Sequence, residues 1–145
     1  MVFTEGSEQQ IRVSDIFIHP DYDVETVDND IALLRLRSPL KMNKFVSPAC
    51  LPSPNDSLPV DSLGTILGWG KRKNSEVFGT DVLHQAEVPV ADISDCKKVY
   101  ENYFISNNMI CAGYKRGKVD SCAGDSGGPL LVNRDGRWFI HGITR

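Results

Sequence analysis

The chain has 145 residues, of which 41% are hydrophobic and 24% charged, and its formal net charge is −3. That composition suits one modest globular core, and the small negative charge argues against a nucleic-acid partner, which would need a basic surface. No run of 18 apolar residues occurs, so no transmembrane helix is expected.

The opening string Met-Val-Phe-Thr-Glu-Gly-Ser-Glu lacks the basic and apolar regions of a signal peptide. Beyond it, short apolar runs alternate with turn signals, the pattern of an all-β barrel or sandwich. Strands are expected at residues 10–18 and 31–36. Residues 47–59 hold four prolines and read as a connector between two halves, which divides the chain into 1–46, a linker at 47–62, and 63–145. The linker contains the sequon Asn55-Asp56-Ser57, which suits a secreted glycoprotein but also arises by chance. Further strands are expected at 65–69, 83–90, 109–112, 130–133 and 138–143. A short helix fits 94–100, with Ser94 as its N-cap. Asp135-Gly136 marks a hairpin turn between the last two strands. Lys71-Arg72-Lys73 opens a polar loop that reads either as a partner-binding or self-cleavage loop or as a plain solvated one.

The four cysteines, Cys50, Cys96, Cys111 and Cys122, lack the close pairing of zinc sites. Structural disulfides fit them better than a metal, and with disulfides an oxidising compartment. No cofactor or metal is expected.

Residues 120–129 carry the most chemical information: D-S-C-A-G-D-S-G-G-P. Small residues around Ser126 let the backbone turn tightly and leave the hydroxyl exposed. They also let successive N–H groups point at one spot, as oxyanion stabilisation requires. A second string, residues 28–34, reads D-N-D-I-A-L-L. There an acid abuts a strand that should be buried, where a carboxylate is costly unless hydrogen-bonded. Taken alone, Asp30 reads as a turn residue or strand-start cap.

Together these strings resemble the chymotrypsin-like serine proteases of trypsin-type specificity. Gly68-Trp69-Gly70, Met109-Ile110-Cys111-Ala112-Gly113 and His141-Gly142-Ile143 fall in the family's order, so the resemblance runs over almost the whole chain. It implies a trypsin-like double β-barrel, with 1–46 a partial first barrel and 63–145 a nearly complete second. It also implies serine endopeptidase activity outside the cell, on peptide or protein substrates with Arg or Lys before the cleaved bond, and sensitivity to protease inhibitors. By the resemblance, Ser126 is the nucleophile and Asp30 the acid that orients the catalytic imidazole. The N–H groups of Gly124 and Ser126 form the oxyanion hole. Asp120 lies at the floor of the specificity pocket, and Asp125 pairs with a freshly cut N-terminal amine. Cys96 and Cys111 match a family disulfide, whereas the usual partners of Cys50 and Cys122 have no counterpart here. Gly64 and Val132 occupy the positions of a further family disulfide. Glu5 and Glu8 match the back half of a calcium loop, but a solvated acidic hairpin is the expectation.

The family's triad histidine lies about 45 residues before its aspartate, and only 29 residues precede Asp30. His19, His84 and His141 are expected to be structural or surface residues. Without the amine partner, a zymogen-like placement of Asp125 is expected. The chain stops at Arg145, before the family's Ser-Trp-Gly and pocket walls. The expectation is therefore an incomplete protease domain, inactive alone. The alternative is a non-catalytic binding module.

Overall fold

The computed structural model describes residues 6–71, 79–114 and 124–145. In chain order the elements are β1 (Val13–Ile18), β2 (Ala32–Leu36), β3 (Leu63–Gly68), β4 (His84–Pro89), α1 (Ile93–Val99), β5 (Pro129–Arg134) and β6 (Arg137–Ile143). The strands form two antiparallel sheets, one of β1-β2 and one in the order β4-β3-β5-β6, in keeping with the trypsin-like β fold. Among the described residues no helix is long and apolar enough to cross a membrane.

By its contacts the chain separates into two compact units. The first takes Met1–Pro48 together with Phe104–Asn108, and the second takes Ala49–Tyr103 and Met109–Arg145.

In the first unit, β1 and β2 pair from Val13↔Leu36 to Ile18↔Ala32, with a bulge between Val13 and Asp15. The bulge sets the Ser14 hydroxyl on Arg35 O at 3.2 Å, and Arg35 meets Asp15 at 3.4 Å. The Arg35 guanidinium also lies over the Phe17 ring, 4.9 Å from its centre. Residues 31–36 were expected to form a buried strand; instead Leu33 and Leu34 are 69% and 58% exposed. An apolar run marks a strand but does not say what will cover it.

The second unit is built on the four-stranded sheet. β3 and β4 pair over six residues, Leu63↔Pro89 to Gly68↔His84. β5 joins β3 at Thr65↔Leu131 and Ile66↔Leu130. Continuing that register sets Gly64 across from Val132, and a β-carbon on Gly64 would come within 2.6 Å of Leu130 Cδ1, so that the Leu130 side chain would have to shift. The β5–β6 hairpin turns on Asp135 and Gly136, with φ of 51° and 79°, the two left-handed residues of a type I′ turn. Asn133 Oδ1 accepts the Gly136 N–H at 3.1 Å and closes it. Among the described residues Val88, Val90 and Leu130 are the buried apolar side chains.

The connector runs along β6. Cys50 N–H donates to Trp138 O at 2.8 Å, and Ile140 N–H donates to Cys50 O at 3.0 Å. Edge groups of the sheet are thereby paired rather than left open. Residues 109–112 do not form the expected strand. Ala112 makes one isolated bridge to Val90, with hydrogen bonds from Ala91 N to Cys111 O and from Gly113 N to Pro89 O. The helix also begins earlier than expected. Its N-cap is Asp92, not Ser94: Asp92 has extended dihedrals and its side chain accepts from Ser94 N–H. The pairing of Val90 and Ala91 holds the chain extended up to that point, so the turn into the helix falls at the next residue able to cap it.

Candidate active site

Ser126 sits in the turn that feeds β5. Gly128 N–H donates to Asp125 O at 2.9 Å, so residues 125–128 close as a β-turn with Ser126 in its second position. Gly127, in the third, has φ +87°, as a type II turn demands there. Gly127 N–H donates to Thr144 O, and Thr144 N–H to Gly128 O, each at 2.8 Å. These bonds tie the turn to the chain just after β6. Ser126 stands exposed at the corner, beside a cavity of about 450 Å³ whose walls include Leu67, Trp69, Leu83 and Pro129.

The turn is seated on the Gly68-Trp69-Gly70 string. Asp125 Oδ1 accepts the Gly70 N–H at 2.8 Å. A β-carbon on Gly70 would meet that carboxylate at 2.5 Å, and one on Gly68 would collide with it outright. Gly124, with φ +106°, packs against the Gly70 backbone, and a β-carbon on Gly128 would lie 2.8 Å from Leu67 O. At Gly128 backbone meets backbone, whereas at Gly68 and Gly70 the space of a β-carbon is taken by the Asp125 side chain. In the sequence the Gly-Trp-Gly string marks only the family; in the structure its two glycines make the space that receives Asp125.

In the first unit, Asp30 is the centre of a γ-turn, with Ile31 N–H donating to Asn29 O at 2.8 Å. Its side chain is exposed just ahead of β2. The preceding turn is tightly specified. Val27 and Asn29 adopt positive φ, 57° and 55°. Asp28 Oδ1 accepts from the Ser106 hydroxyl at 2.5 Å and from Asn29 N–H at 3.0 Å. Asn108 Nδ2 donates to Asn29 Oδ1 at 3.0 Å. The Ser106 hydroxyl holds the Asp28 carboxyl below its usual range, against the opposing effect of desolvation. Ser106 and Asn108 were not anticipated as supports of this turn, and no local signal links residues so far apart in sequence.

Asp30 and Ser126 thus fall in different units, while Gly124, Asp125 and Ser126 share one loop. Asp120, Cys122, Glu5, Arg72 and Lys73 lie outside the described residues. Cys96 and Cys111 are disulfide-bonded, with Cα atoms 6.4 Å apart, and Cys50 carries a free thiol. Among the described residues, no group of three or more His, Cys, Asp or Glu is placed to hold a metal ion.

His19 and His84 are engaged by nearby backbone, whereas His141 Nε2 is buried with no hydrogen-bond partner among the described residues. His19 Nδ1 accepts from Asp21 N–H at 3.1 Å, and His84 Nδ1 lies 2.7 Å from Val82 O. The His141 side chain is only 2% exposed, with Nε2 3.8 Å from Asp56 Oδ2. Burial pushes its imidazole below the usual range, and the nearby Arg134 guanidinium adds to that.

All of residues 1–145 match the family model described as Trypsin. The chain is also similar to a rat (Rattus norvegicus) protein named transmembrane protease serine 9. The two are 40% identical over 142 residues, which is 97% of this chain and 13% of that protein. The chain belongs to the trypsin family of chymotrypsin-like serine proteases.

Proposed function

We propose that this chain supplies the serine and aspartate of a trypsin-like endopeptidase that acts outside the cell and cleaves after Arg or Lys. The observation that carries the proposal is the Ser126 corner: an exposed hydroxyl on a glycine-flanked turn, anchored to Gly70 through Asp125.

The division of labour is the one for which the family is known. Ser126 Oγ attacks the substrate carbonyl as an imidazole takes its proton, and an acyl-enzyme forms and is hydrolysed. Asp30 orients that imidazole and stabilises its charged form. The N–H groups of Gly124 and Ser126 bind the oxyanion. Asp120 gives the specificity pocket a negative floor, for which a substrate Arg or Lys is the matching cation. Asp125 is the acid that receives the N-terminal amine released on activation in the family; in this chain its carboxylate accepts the Gly70 N–H.

None of His19, His84 and His141 stands at the family's histidine position, so residues 1–145 by themselves are inactive. Loss of the base in a related triad lowers kcat by about a millionfold. A fluorophosphonate probe tests both statements. Residues 1–145 alone are expected to remain unlabelled. A segment carrying the family's histidine, supplied in cis or in trans, is expected to make Ser126 reactive and to restore cleavage of an arginyl amide, and Ser126→Ala removes both. Labelling of the isolated chain would refute its inactivity. Silence of the complemented chain would refute the nucleophile.

A further inference from the structure

The connector holds a feature that the protease reading leaves unused. Ser53, Pro54, Asn55 and Asp56 make a β-turn, closed by Asp56 N–H donating to Ser53 O at 2.9 Å. Proline in the second position and asparagine in the third suit such a turn. Asp56 points inward, where both of its carboxylate oxygens are held by the Arg134 guanidinium, with Arg134 Nη2 2.9 Å from Oδ1. Asn55 and Ser57, on either side of it, are exposed. Neither the Asn55 carboxamide nor the Ser57 hydroxyl is engaged by a described residue. The ion pair therefore anchors the tripeptide by its middle residue and presents the outer two to solvent.

Asn-X-Ser with X other than Pro is the acceptor string for N-linked glycan, and it must lie on a surface able to carry a bulky polar group. We propose that Asn55 is an N-glycosylation site, taking an oligosaccharide from a lipid-diphosphate donor. The new bond joins Asn55 Nδ2 to the anomeric carbon of the first sugar. The bond that breaks links that carbon to the diphosphate, which leaves with the electron pair, and the carboxamide gives up one proton. The inference rests on the extracellular reading above, because the donor and its transferase belong to the secretory route. The Cys96–Cys111 disulfide agrees with that compartment.

The test uses protein isolated from eukaryotic cells that express it. Residues 1–145 hold no other Asn-X-Ser/Thr string, and peptide N-glycosidase leaves aspartate at 55, so mass spectrometry of the peptide that spans Asn55 reads this position alone. The expected result is a slow-migrating band that collapses on deglycosylation. Asn55→Gln and Ser57→Ala should abolish it, and Ser57→Thr should keep it. The oxidation state of Cys96 and Cys111 is read in the same sample. An unmodified chain with the disulfide formed overturns the glycan and leaves the extracellular reading standing. An unmodified chain with reduced thiols overturns both.

Discussion

At Gly68 and Gly70 the space a β-carbon would take is already filled by the carboxylate of Asp125. Neither glycine has positive φ, so the constraint is volume rather than backbone freedom. Gly70→Ala is therefore expected to cost about 1–3 kcal/mol of stability, the usual range for overpacking a tight site, as read by urea denaturation. Adding Asp125→Ala should recover most of that loss, because the clash and its partner vanish together. Two independent, additive losses would show that the glycine answers to something else. The Ser126 turn was legible because its small residues follow one another in sequence. The reason for the glycine pair was not, because Asp125 lies 55 residues away.

At the scale of single elements, α1 offers a sharp comparison. Asp92 and Ser94 are both good capping residues, two apart, and composition does not choose between them. The structure chooses Asp92, whose Oδ1 accepts the Ser94 N–H at 2.7 Å. Asp92→Ala is expected to cost about 1 kcal/mol, whereas Ser94→Ala should change stability by no more than a few tenths, with loss of helical circular dichroism following the same order. Equal effects would restore the cap to Ser94. The β5–β6 hairpin was legible to the residue, since Asp-Gly states its own dihedrals. The exposure of β2 was not, because burial depends on what packs against a strand rather than on the strand's composition.

Across the second unit, Asp56, Arg134 and His141 join the connector to β5 and β6, and the link is sensitive to acid. Burial holds the His141 imidazole below its usual range, so below about pH 6.5 the unfolded chain takes up a proton that the folded chain resists. Stability is then lost as pH falls from the unfolded value through the folded one. The Asp56 carboxyl is held down by Arg134, and its contribution disappears in the more acid range, as pH falls below the ordinary aspartate value through the folded one. Denaturation midpoints measured from pH 7.5 to 5 should decline, and His141→Phe should flatten the decline. An unchanged slope in that variant would place the sensitivity elsewhere.

The turn before Asp30 has one more consequence, and it concerns timing. Asn29 meets Asn108 across a sequence separation of 79, and Asp28 meets Ser106 across 78. A ribosome working from the N-terminus releases β1 and β2 long before either partner exists. The turn that joins them must wait for these supports while most of the remaining chain is made. The turn can take its full set of hydrogen bonds only once Asn108 has been synthesised.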